Sequence, residues 1–102
     1  MTIYISGPIT KDPNYKTKFA KAAGRIERAG HKVINPAVLA DYAPGQSWSF
    51  YMTMALAALP WCDAIYMLRD SEDSDGAMLE FGWAVDHNLR VYHEGINEVS
   101  QR

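Results

Sequence analysis

The segment Ala64-Ile65-Tyr66-Met67-Leu68 is an almost uninterrupted apolar run of strand-forming residues, and it limits what the chain can become. A strand with no polar face must be covered on both sides, as an interior strand of a parallel sheet is. The neighbouring segments agree. Ile3-Tyr4-Ile5 is a short β-branched and aromatic run stopped by Ser6-Gly7-Pro8. His31 to Ile34 reads as a second strand ended by Asn35-Pro36, and Leu89 to Tyr92 as a last one. Between strands the period changes. Phe19, Ala22, Ala23, Ile26 and Ala29 follow helical spacing, which predicts a helix from Tyr15 to Ala29 stopped by Gly30. Ser47 is the expected N-cap of a helix from Trp48 to about Leu59, ended by Pro60, and a third helix is expected from about Asp75 to His87. The stretch from Asn35 to Ser47, with its Pro44-Gly45-Gln46 turn signal, reads as a loop. The polar tail from Gly95 to Arg102 reads as a frayed helix or disorder.

The order βαβαβαβ implies parallel pairing and right-handed crossovers. The expected fold class is α/β: a small doubly wound, flavodoxin- or Rossmann-like parallel sheet of four to five strands with helices on both faces. It is expected to form a single domain over residues 1–102, a length that suits one domain. Domains this small often gain stability by association, so a homodimer or higher homo-oligomer is expected. Trp48, Tyr51 and Trp61 are either core residues or part of such an interface.

The formal net charge of −2 argues against duplex nucleic acid as a partner, since such binders carry a basic stripe. No apolar run approaches the ~20 residues of a membrane span, and the N-terminus does not read as a signal peptide. With Cys62 as the lone cysteine there is no internal disulfide, and a cytoplasmic location is the expectation. Cys62 itself is expected to be a buried thiol. His31, His87 and His93 lack partners at zinc-site spacing, so neither a metal nor a cofactor is expected.

In an open parallel sheet, ligands bind beyond the carboxyl ends of the strands where the connections reverse direction. For a flavodoxin-like order, that crevice lies between the first and third strands. The loops there are Ser6-Gly7-Pro8-Ile9-Thr10 and Arg69 to Ser74. Gly7 implies a close approach of the backbone, with Thr10 and Lys11 able to bind an anion; a tight turn with a solvated lysine explains the same residues. Ser74 or Asp75 caps the following helix, and capping accounts for both without a ligand. Glu80 is less ordinary. It lies three residues after Ala77 and three and four before Trp83 and Ala84, on an apolar or small-residue stripe, and helical side chains tilt toward the N-terminus. Its carboxylate therefore points back to the crevice, with Gly76 and Ala77 leaving space there. A basic partner or exposure at the stripe's margin would also explain it, but a carboxylate in a partly dry crevice is otherwise a functional candidate. Tyr4 shares a strand face with Ser6 near the crevice and is either an orienting phenol or part of a helix–sheet seam.

Together these segments resemble the nucleoside 2-deoxyribosyltransferase superfamily, which includes nucleotide N-glycosidases. The resemblance is closest to its short, poorly characterised DUF4406-type members, which share the tryptophan-led middle helix. The matching pieces are Tyr4-Ile5-Ser6-Gly7-Pro8-Ile9, Val33-Ile34-Asn35-Pro36, Cys62 to Leu68, and Ser74-Asp75-Gly76-Ala77-Met78-Leu79-Glu80 with Ala84. The resemblance implies chemistry at the anomeric carbon of a (deoxy)ribose, in a nucleoside or its 5′-monophosphate. Glu80 would be the nucleophile that forms a glycosyl-enzyme ester, and Tyr4 would orient it. Ser6, Gly7, Pro8, Ile9, Ser74, Asp75 and Gly76 would bind the substrate, Ser74 near a 5′-phosphate. The chain departs from the family pattern in two places. Met52-Thr53-Met54-Ala55-Leu56 holds no acid where better-studied members have a catalytic aspartate. Thr10-Lys11 stands where nucleotide-cleaving relatives have an arginine. A nucleotide-binding or sensing protein of the same fold is the alternative.

Overall fold

The structure, a computed structural model, describes residues 1–100. Strand β3 (Ala64–Met67) is buried at every position, and it lies inside the sheet as its apolar run requires. Strand β1 (Thr2–Ser6) pairs with it in parallel, Ile3 opposite Ala64 and Ser6 opposite Met67. Strands β2 (Lys32–Ile34) and β4 (Arg90–His93) form the edges, giving the order β2-β1-β3-β4 with every pairing parallel. This is the doubly wound α/β arrangement expected from the sequence, with four strands among the described residues.

Alternation along β1 and β3 divides the core between two faces. Ile3, Ile5, Ala64, Tyr66 and Leu68 pack with helix α1 (Tyr15–Arg28) and with Ala37 of helix α2 (Pro36–Tyr42). Tyr4, Ile65 and Met67 pack with helix α3 (Trp48–Ala58), Leu59 and helix α4 (Asp75–Asp86). α1 buries Phe19, Ala22 and Ile26, the stripe read from its spacing. Burial of side chains as large as Phe19 and Ile26 contributes about 1.5–3 kcal/mol each, which fixes that helix to the sheet. Cys62 is buried as expected, and burial pushes its thiol up to about 11. Among the described residues no helix is long and apolar enough to cross a membrane.

Three readings change. The stretch after β2 is not simply a loop but contains α2. Asn35 Oδ1 accepts the Ala37 N–H at 3.0 Å and Pro36 occupies the first helical turn, so Asn-Pro starts a helix here rather than only ending a strand. The tail is neither a frayed helix nor loose where it is described. His93 forms an antiparallel bridge with Asn97, the Tyr66 hydroxyl donates to Glu98 at 2.6 Å, and Val99 packs on the α1 side of the core. Residues 101 and 102 of that tail lie outside the described residues. Finally, core packing does not account for Trp48 and Trp61, which are 52% and 82% exposed.

Gly7 sits where β1 leaves the sheet, against Leu68. A Cβ at Gly7 would lie 2.7 Å from Leu68 Cδ1 and 3.0 Å from its Cβ, inside normal contact. Gly7→Ala is therefore expected to destabilise the fold by roughly 1–3 kcal/mol in urea denaturation. The loss should shrink in a Leu68→Ala background, where the 2.7 Å contact with Cδ1 is removed.

Candidate active site

α4 is capped by Ser74, whose Oγ accepts the Ala77 N–H at 3.1 Å. A turn and a half later, Glu80 tilts back toward the helix start and reaches under β1. The Tyr4 hydroxyl donates to Glu80 Oε2 and the Ser6 hydroxyl to Oε1, both at 2.6 Å. The strand's two-residue period puts both donors on the same face. Glu80 is 7% exposed, Tyr4 1% and Ser6 0%. The salt bridges among the described residues do not include Glu80, so its partners are hydroxyls rather than the basic side chain or solvent that the sequence also allowed. Tyr4 fits both readings of it: its ring lies in the seam with α3 and α4, and its phenol holds the carboxylate.

Burial without a cation pushes the Glu80 carboxyl up to about 7, against the opposing effect of the Ser6 and Tyr4 hydrogen bonds. The Tyr4 phenol is itself held well above its ordinary range, first by burial and then by the Glu80 charge, so it remains a donor.

Tyr4 and Glu80 line a cleft of about 380 Å³ at the β1/β3 switch point. Gly7, Pro8, Ile9, Thr10 and Lys11 line it from the loop after β1, and Asp73 to Ala77 from the start of α4. Of the residues expected to meet a ligand, Gly7, Pro8, Ile9, Ser74, Asp75 and Gly76 line this space. Ser6 does not. The alternation that gives its hydroxyl to Glu80 buries it completely. The close approach at Gly7 is to Leu68, and Gly76 lets α4 approach α3, since a Cβ there would lie 3.1 Å from Met52 Sδ. Lys11 has no ion pair among the described residues.

Sequence reasoning missed the remaining wall. Asn35, Pro36 and Leu39 at α2, with Trp48, Tyr51 and Met52 from α3, line the cleft opposite the β1 loop residues. The signal was Asn35-Pro36 read as cap and first turn. A broader depression of about 930 Å³ lies outside α3 and α4, with Trp48, Met78 and Trp83 among its lining. Its acids, Asp75 and Asp86, are exposed, whereas the smaller cleft holds the buried Glu80.

A parallel sheet with a hydroxyl-held buried carboxylate at its switch point defines a small α/β protein with one chemically distinctive cleft. Residues 1–93 match the family described as Domain of unknown function (DUF4406), and the chain belongs to that family. A search of curated proteins gave no match.

The raised Glu80 value makes stability depend on pH. Between its ordinary value of 4.5 and about 7, the folded chain keeps a proton that the unfolded chain has released, so stability falls as pH rises through that window. At about 1.4 kcal/mol per unit, the cost of ionised Glu80 above pH 7 is on the order of 3 kcal/mol. Glu80→Gln is expected to remove this slope. In thermal melts it should exceed the native protein by at least about 5 °C at pH 8 and match it near pH 4.

Proposed function

We propose that this protein cleaves or transfers the N-glycosidic bond of a (deoxy)nucleoside or its 5′-monophosphate, with Glu80 as nucleophile. One observation carries the reading: a buried carboxylate without a cationic partner, held by two hydroxyls at a ligand-sized cleft. A salt-bridged carboxylate would be a poor nucleophile, and an exposed one would not be oriented. A hydroxyl-held carboxylate keeps its charge available and its direction fixed.

In the proposed reaction the ionised Glu80 attacks the anomeric carbon. The Glu80 oxygen–carbon bond forms as the carbon–nitrogen bond breaks, and the bonding pair leaves with the base, which takes up a proton. The carboxylate also stabilises the positive charge that develops on the sugar. Water or a second base then attacks the same carbon, and Glu80 departs as a carboxylate. Tyr4 and Ser6, which donate to the carboxylate, orient it in the first step and support its departure in the second. The Gly7–Ile9 loop and the Ser74–Gly76 turn border the ligand, and the first amides of α4 suit a phosphate if one is present. This chemistry requires no cofactor.

A second reading, a nucleotide-binding protein without turnover, has its own support. α3 offers Met52, Met54 and Ala55 to the cleft and no acid, so the other acids lining it are the exposed Asp73 and Asp75.

Chromatography for free base after incubation with nucleosides and 5′-monophosphates separates these readings. The native protein is expected to release base and Glu80→Ala to release at least ~10³-fold less while keeping its helical circular dichroism. Tight binding without release establishes the second reading instead. Because the nucleophile must be ionised, the rate is expected to rise with pH through about 7. Tyr4→Phe removes a hydrogen bond that lowers the Glu80 value, so the midpoint of that rise should move to higher pH.

A further inference from the structure

α1 begins beside both loops that border the cleft. Lys18, in its first turn, places its ammonium 2.6 Å from Asp12 Oδ2 and 2.7 Å from Asp70 Oδ2. Asp12 belongs to the loop after β1, whose Gly7 to Lys11 stretch lines the cleft. Asp70 opens the 3-10 turn after β3 that leads to Asp73, Ser74 and the start of α4. One cation therefore bridges the two segments between which a ligand would sit.

The anchors on each side are themselves fixed. Asp12 is 11% exposed at its side chain, and its Oδ1 accepts the Asn14 N–H at 2.8 Å. The Asp70 carbonyl accepts the Asp73 N–H at 3.1 Å, and Ser71 is tied back to Leu68 at 3.0 Å. The sheet's last rung between these segments is the Leu68 N–H to the Ser6 carbonyl at 2.9 Å. Beyond it, among the described residues, the ionic tie between the two loops is Lys18. Its hydrogen bonds to the two aspartates hold the Lys18 ammonium above its usual range. Without it, two carboxylates face each other with no counterion between them.

We propose that Lys18 is a positioning residue, an ionic latch that fixes the spacing of the two cleft loops and hence the width of the ligand site. The ligand-binding consequence rests on the nucleoside or nucleotide reading of the cleft; the latch itself does not. Exposed ion pairs contribute little to global stability, so the effect is local. Lys18 touches neither Glu80 nor Tyr4, so it acts on binding rather than on the bond-breaking step.

Native protein, Lys18→Met and Lys18→Arg are compared by hydrogen exchange with mass-spectrometric readout. In Lys18→Met, peptides covering residues 7–14 and 69–76 are expected to exchange at least about fivefold faster, with β3 and the Phe19–Ile26 stretch unchanged. Lys18→Arg should restore the native pattern. Unchanged loop exchange overturns the latch, and so does a uniform increase across the chain, which would mark a merely structural role. The second readout is base release. KM is expected to rise at least about fivefold in Lys18→Met with kcat within about twofold, and arginine should reverse the change. A fall in kcat at unchanged KM would overturn the positioning role. If the native protein releases no base from any nucleoside or nucleotide, the glycosidase reading fails while the exchange comparison still decides the latch.

Discussion

The two-sided burial of β1 organises this molecule. Its neighbours are both strands, and both of its faces are covered, so each residue is committed to one helix layer or the other. Ile3 and Ile5 go to the α1 side as ordinary core. Tyr4 and Ser6 go to the α4 side, and both are fully buried, so their hydroxyls need acceptors. Glu80 is the acceptor for both. A register slip by one residue would present isoleucines to the carboxylate and bury two unsatisfied hydroxyls in the opposite layer. Sheet register and site chemistry are the same constraint.

Glu80 also shows why the arrangement is costly. Its two hydrogen bonds lower the carboxyl value while burial raises it, and burial prevails. A lysine or arginine within reach would pair with the charge and hold the carboxylate in an ion pair. The charge imbalance sits where the cleft is, while ion pairs such as Lys16–Asp41 and Arg25–Glu94 lie elsewhere. An unpaired acid at an interior point costs stability, and strongly perturbed groups of this kind cluster at functional sites.

The elements legible in the sequence were those whose pattern comes from burial. β3 announced itself by lacking polar residues, and α1 by the spacing of Phe19, Ala22 and Ile26. Ser47 and Ser74 marked the starts of α3 and α4 by their cap chemistry. α2 was hidden because Asn35-Pro36 carries two meanings, strand stop and helix start, and seven residues are too few for a clear stripe. The tail was hidden because its anchors are long-range polar contacts, such as Tyr66 with Glu98, which leave no local period. In the site, the position of Glu80 followed from helical spacing. Tyr4 was legible as a phenol able to orient it, but Ser6 was not legible as its second partner, because pairing across 74 residues is decided by how strand and helix pack. Ser6 shows the limit most clearly: the same alternation that aimed it at Glu80 removed it from the cleft.

The cleft draws its parts from separate stretches of chain. The carboxylate and its hydroxyls come from β1 and α4, which the sheet holds rigidly, whereas Leu39, Trp48, Tyr51 and Met52 come from the connection between β2 and β3. That connection joins two parallel strands that are not adjacent in the sheet, and the buried Ala37, Met52 and Ala55 of its two helices tie it to the core. The outer wall of the cleft and its buried acid thus come from separate parts of the sequence. Substitutions at the cleft-facing Leu39 or Met54 would reshape the cleft wall while leaving Glu80 and the hydroxyls of Tyr4 and Ser6 in place, a handle for redesign.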